Sequence, residues 1–333
     1  MGKTRMTAFA VGAVVVMAGA LAGCSSEVPG TSSGSASGDD ITIGVSFDNM
    51  TAFREGEKAA LDKAAKELGV KLKYQVAQLD AQTQSTQIQT LISQGARAIV
   101  AIPSDIEAIK ADIDSAQADG VPIVTLDQAP SETSWVSYHV GGDPHADGLA
   151  AGKKFVELAA GKPYKLLELQ GALNNDNGIR RSSGLHEGIK DAPNITIVSS
   201  IPTDWKPEPA LTGIQNTLQK YPDLDGIFIP TDGQIPPAYS ALKAANRFVP
   251  AGQEGHVDIV AIDGDSNGCK AVKDGYVDMD IATPIPAMTK NALEAAIAAA
   301  KGKPKNKAEF LPGTPYTPAD VDKLASQVWG CAS

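Results

Sequence analysis

Residues 97–128 read RAIVAIPSDIEAIKADIDSAQADGVPIVTLDQ. Positions 98–102 are apolar throughout, as suits a strand buried on both faces of a helix-covered parallel sheet. A helix-periodic stretch follows from Asp105, and glycine closes it where a left-handed cap is needed. A second apolar run, 122–126, stops abruptly at Asp127 and Gln128. Strand, helix and strand in this order make a βαβ unit.

The same alternation extends in both directions. Upstream it predicts strands over 41–46 and 71–77 and helices over 53–68 and 85–94, with Gly69 and Gly95 at the helix ends. Downstream it predicts strands over 135–140, 164–169, 195–200, 226–229, 257–262 and 277–281. Helices are expected over 146–160, 178–190, 210–220, 237–246, 268–274 and 288–301. A Pro-rich stretch, 310–318, and a short helix, 318–328, end the chain. About ten strands in βα order exceed one ordinary doubly wound sheet, so the expected fold is α/β with two parallel-sheet lobes.

The 333 residues suffice for two cores, and 43% are apolar. The formal charge is −10, with no basic cluster. Such a surface argues against nucleic acid and anionic lipid as the main partner.

Residues 1–23 have the layout of a signal peptide: Lys3 and Arg5, an apolar run over 7–21, then Ala22 and Gly23. Leu21-Ala22-Gly23-Cys24 resembles the bacterial lipobox, which implies a lipidated Cys24 and a cell-membrane anchor. Residues 24–40, rich in Ser and Gly, are expected to form a flexible tether. Cys269 and Cys331 remain. In an exported chain they suggest a disulfide, with two free buried thiols as the alternative. Its loop of roughly 60 residues would contribute about 4 kcal/mol in the chain-entropy view.

Three local patterns carry other chemistry. Gly264-Asp265-Ser266-Asn267-Gly268 has the form of a nucleophile elbow. All four histidines, His139, His145, His186 and His256, precede Ser266, contrary to the order a hydrolase of that kind needs. Asp263, Asp265, Asn267 and Asp274 approach a calcium loop but lack its final Glu and its leading helix. His145 and Asp147 beside Asp143 read as caps and dipole partners at a helix start. No cofactor or metal is assigned, and neither a dinucleotide fingerprint nor a P-loop is present.

Ligands of open α/β sheets sit at the carboxyl ends of strands. There the sequence places Asp48, Asn49 and Phe53, then Asp127 with Gln128, Arg181 after a polar loop, Trp205, Thr231 with Asp232, Asp263 and Thr283. Singly, each has an ordinary explanation as a cap, a core residue or a solvated face. Their recurrence at equivalent strand ends in both halves points to one small-molecule site.

Taken in order, these residues resemble the periplasmic ribose/galactose-type binding proteins of sugar ABC importers. The similarity runs from Ile41 to about Lys301, through Val121-Pro122-Ile123-Val124-Thr125-Leu126-Asp127, Glu168-Leu169-Gln170-Gly171, Arg181 with Gly184, and Ile262-Asp263-Gly264 followed by Lys270-Ala271-Val272. The resemblance implies a monomeric, non-enzymatic binder that closes two lobes on a sugar and delivers it to a permease. It further implies lobes of 41–142 with 284–310 and 143–283 with 311–333, with crossings near Gly142, Thr283 and Leu311. The family's first-loop Asn and aromatic fall on Asn49 and Phe53, its strand-end Asp on Asp127, its helix-start Arg on Arg181, its second aromatic on Trp205 and its later Asp on Asp263. Gln128 stands where a basic residue is usual, Thr231 where an Asn precedes the Asp kept as Asp232, and Thr283 where the hinge has Gln. These three departures imply a polyol or a sugar other than ribose. The same fold can instead present its ligand to a membrane receptor, and genes for a permease and ATPase beside it would favour transport.

Overall fold

The computed structural model describes residues 41–331, so the leader, Cys24 and the tether lie outside the described residues. In chain order the elements are β1 (Thr42–Phe47), α1 (Ala52–Leu68), β2 (Lys71–Val76), α2 (Ala81–Ser93), β3 (Ala98–Ala101), α3 (Ile109–Ala118), β4 (Ile123–Leu126) and β5 (Tyr138–Gly142). Then come α4 (Pro144–Ala159), β6 (Tyr164–Gln170), α5 (Asp176–Ile189), β7 (Ile195–Pro202), α6 (Pro207–Lys220), β8 (Gly226–Ile229), α7 (Ile235–Ala244), β9 (Asp258–Asp263), α8 (Ser266–Lys273) and β10 (Met279–Ala282). Helix α9 (Ile285–Ala300), β11 (Lys307–Leu311), β12 (Thr314–Tyr316) and α10 (Val321–Leu324) complete the chain.

The strands form two six-stranded sheets, ordered β11-β5-β4-β3-β1-β2 and β12-β10-β9-β8-β6-β7. All pairings are parallel except β12 against β10. Both sheets share the 2-1-3-4-5 order of a doubly wound fold, whose ligands lie beyond the carboxyl ends of the strands. The chain passes between sheets after Gly142, after Ala282 and between Leu311 and Thr314.

Strand alternation feeds a core on each face. In the first sheet, Ala98 and Val100 join Leu61, Met288 and Leu293 on one side, while Ile99 and Ala101 join Ile88, Leu91 and Ile113 on the other. In the second, Ile227 and Ile259 meet α6 and α7, and Phe228 and Val260 meet α4 and α5.

Several element bounds differ from the sequence reading. Asp80 caps α2 through the Thr83 amide, starting the helix four residues before 85. Residues Thr133–Trp135 form a 3-10 turn, which delays the fifth strand to Tyr138. The Pro-rich stretch contains the end of one edge strand, β11, and the whole of another, β12, and only Val321–Leu324 of the terminal segment is α-helical.

Helices α4 and α5 pack at backbone contact. A Cβ on Gly148 would overlap the Arg181 carbonyl oxygen, and one on Gly184 would overlap that of His145. This close approach seats α5, which carries Arg181, directly against α4. Gly184→Ala should therefore destabilise the fold by about 1–3 kcal/mol, through overpacking, in urea titrations.

Under α8 lies a buried acid pair. Asp232 and Asp280 have no exposed surface, and a Cβ on Gly268 would strike both carboxylates. Asp280 accepts from the Tyr316 hydroxyl and, at 2.6 Å, from the Ile281 amide. Asp232 accepts the Asp265 amide at 2.8 Å. Burial, then the charges of Asp280, Asp265 and Asp263, push Asp232 well above the carboxylate range. Burial pushes Asp280 up to about 6, and Asp232 serves it as a hydrogen-bond partner. A carboxyl raised in this way stabilises the fold fully below its unfolded value near 4, and that contribution is lost as pH climbs through the folded value. Urea stability should fall as pH rises from about 4 through about 6, and Asp280→Asn should flatten that slope; an equal slope in both proteins would refute the assignment.

Candidate functional site

The first lobe builds its wall around one guanidinium. Thr51 caps α1 by accepting the Arg54 amide, which places Arg54 in the first helical turn beside the end of β1. Arg54 is 4% exposed. Its Nε and Nη2 donate to the two Asp48 oxygens at 2.8 and 3.1 Å, and its Nη1 donates to Glu57 and to Asp127, both at 2.7 Å. Burial works against the charge, yet the three carboxylates outweigh it and hold Arg54 above its usual basicity. Burial pushes Glu57 up to about 8 against the pull of Arg54. Asp48 also accepts the Asn49 amide at 2.7 Å and the Gln128 side chain at 3.4 Å.

In the second lobe, Arg181 of α5 donates through Nη1 to the Pro230 carbonyl at 2.5 Å and to Asp263 at 3.2 Å. The Thr231 hydroxyl donates to the other Asp263 oxygen at 2.6 Å. Burial raises Asp263 to about 7, with Arg181 pulling the other way. Trp205 follows β7 with its ring against Gly171, where a Cβ would collide with the indole. Asp127, Trp205 and Asp263 have φ of 62°, 62° and 141°. Side-chain-bearing residues rarely adopt such backbone, which concentrates at functional sites and costs about 1–3 kcal/mol each.

The two walls meet across a cleft. Asn177 of the second lobe donates to both Asp127 oxygens at 3.0 Å. At the rim the Asn174 side chain donates to Asp105 at 3.1 Å. A cavity of about 560 Å³, counting its open mouth, is lined by Asp48, Asn49, Thr51, Ala52, Phe53, Arg54, Asp127, Gln128, Asn177, Arg181, Trp205, Thr231, Gly233, Asp263 and Asp265. Four lining residues carry a buried polar atom without a protein partner: Asn49 Oδ1, Gln128 Oε1, Arg181 Nε and Trp205 Nε1. Such atoms are costly to bury unless something bonds to them.

Nine of the eleven residues singled out from sequence line this cavity: Asp48, Asn49, Phe53, Asp127, Gln128, Arg181, Trp205, Thr231 and Asp263. Asp232 does not, because the 3-10 turn Asp232–Gln234 turns it beneath α8 into the acid pair. Thr283 does not either. Its amide donates to the Asp263 carbonyl at 3.0 Å, behind the wall, and its methyl lies by Gly142 at the passage between sheets. Sequence reasoning missed Arg54, Asn177 and Asp265. The basic residue absent at Gln128 had its signal in Arg54, next to Phe53.

The other patterns resolve as structure. Asp265 caps α8 through the Asn267 and Gly268 amides, and the Asn267 side chain donates back to it. Asp143 caps α4 and pairs with Arg180, while Asp147 accepts the Gly313 amide at 3.1 Å. Among the described residues, the ligand-type atoms of His256, Asp258 and Asp278 lie within 4.8 Å of one another. That group sits at the start of β9, the opposite end of the strand from Asp263. Cys269 of α8 and Cys331 of the tail lie in disulfide contact, with Cα atoms 5.4 Å apart.

Residues 43–304 match the periplasmic binding protein domain. The chain is 31% identical over 295 residues to the ribose import binding protein of Bacillus subtilis, covering 88% of this chain and 93% of that protein. It is 29% identical over 244 residues to a xylitol-binding protein of Mycolicibacterium smegmatis, covering 72% of this chain and 66% of that protein. A solved galactofuranose binding protein shares the fold with a TM-score of 0.81 at 23% identity, over 88% of this chain and 100% of the other. A Mycobacterium smegmatis protein in complex with β-D-fucofuranose gives 0.79 at 24% identity, over 85% and 93%. The chain thus belongs to the periplasmic binding protein family, among the solute-binding proteins of sugar importers.

Proposed function

We propose that the cleft captures an uncharged sugar or sugar alcohol of pentose to hexose size and hands it to the permease of an ABC importer. The observation that carries this is the convergence of strand-end residues from both lobes on one cavity, with buried polar atoms on each wall lacking protein partners. Phe53 and Trp205 offer apolar faces for the C–H surfaces of a ring or chain, while carboxylates and guanidinium groups meet its hydroxyls. Hydrogen bonds to charged groups contribute about 1.5–3 kcal/mol each, so a few reach the roughly 8 kcal/mol of micromolar binding.

Charge narrows the class. Asp48, Asp127, Asp263 and Asp265 face only Arg54 and Arg181, and both guanidinium groups already bind carboxylates. A phosphate or carboxylate on the solute would meet net negative charge, with only the Nε edge of Arg181 left to offset it. Xylitol and ribose, named for two relatives, are the first solutes to try.

The protein acts as a monomer outside the cytoplasm. Residues 1–23 direct export, acylated Cys24 anchors the chain in the cell membrane, and 24–40 tether the lobes above it. Cys269 and Cys331 oxidise to a disulfide there.

A thermal-shift and calorimetric screen of xylitol, D-ribose, myo-inositol and D-galactose against D-ribose 5-phosphate and D-gluconate tests the reading. At least one neutral solute should raise Tm by mass action, and the anions should not. Asp127→Asn should weaken the best solute about tenfold to a hundredfold. Binding confined to the anions, or unchanged affinity in that variant, would overturn the reading.

A further inference from the structure

The C-terminal tail is tied to the second lobe. Strand β12 pairs with β10, Cys331 contacts Cys269, and the Gly330 amide donates to the Gly264 carbonyl at 2.9 Å. A side chain on Gly330 would collide with the Asp265 backbone, so the tail lies directly on the loop that follows Asp263. Trp329 comes immediately before. Its Nε1 donates to the Asp263 carbonyl at 2.8 Å. Its ring leaves the second lobe: it meets Phe53 edge-on, with centroids 6.0 Å apart and planes at 78°. A Cβ on Gly56 would stand 2.6 Å from the indole, so α1 admits the ring only because residue 56 is glycine. Phe53 and Gly56 belong to the first lobe.

We propose that Trp329 is a positioning residue of the solute cleft: held by the Cys269–Cys331 pair, it backs Phe53 and biases the two lobes toward closure. Trp329 is not among the cavity-lining residues, so it acts through Phe53, which is. Edge-on aromatic pairs are favourable and directional, so the indole fixes the plane that Phe53 offers to solute. The tail's bonds keep Trp329 with the second lobe, and opening the cleft must separate it from α1. A contact made in only one of two states shifts their populations by its own free energy. The effect on affinity rests on the cleft being the solute site; the effect on lobe separation does not.

The test measures inter-lobe distances by pulsed electron resonance in the full-length chain. Spin labels are carried on unnatural ketone side chains at positions Glu67 and Lys220, exposed on α1 and α6. With no solute added, Trp329→Ala should lower the ratio of closed to open molecules about threefold to tenfold. Trp329→Phe, which keeps a ring, should recover most of it. The double variant Cys269→Ser/Cys331→Ser should fall toward Trp329→Ala. Calorimetry with xylitol and D-ribose should show Kd rising in Trp329→Ala by the factor seen in the distances. An unchanged distribution in Trp329→Ala, or equal losses in the Ala and Phe variants, would overturn the proposal. Failure of every solute to bind the unaltered protein would instead remove the solute reading and leave the distance result standing.

Discussion

A guanidinium taken out of water must be met by carboxylates, and Arg54 meets three. Each is supplied by a different piece of the first lobe: Asp48 by the end of β1, Glu57 by the next turn of α1, Asp127 by the end of β4. Removing the shared guanidinium from such a set would leave buried carboxylates uncompensated, at a cost of about 3–5 kcal/mol. The cluster therefore fixes the relative positions of two strand ends and a helix start. It also holds Asp127 where Asn177 of the other lobe reaches it. Most of the cleft's electrostatic order exists before any solute enters, which lowers the cost of binding.

Backbone strain follows the same geography. Asp127 and Asp263 occupy corresponding places at the ends of β4 and β9, and both have positive φ. Each turns its carboxylate out of the strand direction to pair with a guanidinium, Arg54 in one lobe and Arg181 in the other. The lobes thus repeat one device, a strained Asp beside a buried Arg. Trp205 holds its own positive φ with its ring against Gly171.

The buried strands were legible because their residues are apolar on both faces; Ala98–Ala101 and Gly226–Ile229 needed no tertiary information. The edge strands β11 and β12 were not. One carries Lys and Glu, the other Pro, and both are defined by distant partners, β5 and β10. The site followed the same rule. A polar residue just after an apolar strand, such as Asp127 or Asp263, announces itself. Arg54 sits in a helical turn and reads as solvated until Asp48, Glu57 and Asp127 surround it. Asp232 stood at a strand end like the others, but a short 3-10 turn carried it beneath α8. Trp329 lay beyond the stretch in which strand ends recur, and its role depends on a contact with α1 that no local pattern encodes.

The order of strands in the first sheet also governs how the chain matures as it is made. Strands β1 to β5 emerge first, yet their sheet lacks its outer strand β11 and the covering helix α9 until after the whole of the second sheet's β6 to β10 has been synthesised. Met288, Leu293 and Ala296 of α9 complete a core begun by Ile43 and Val45. The lobe that starts earliest thus waits for most of the other to be made before its own core closes. A nascent chain released before α9, short of about residue 285, would leave that apolar face uncovered and available to aggregation or to a chaperone.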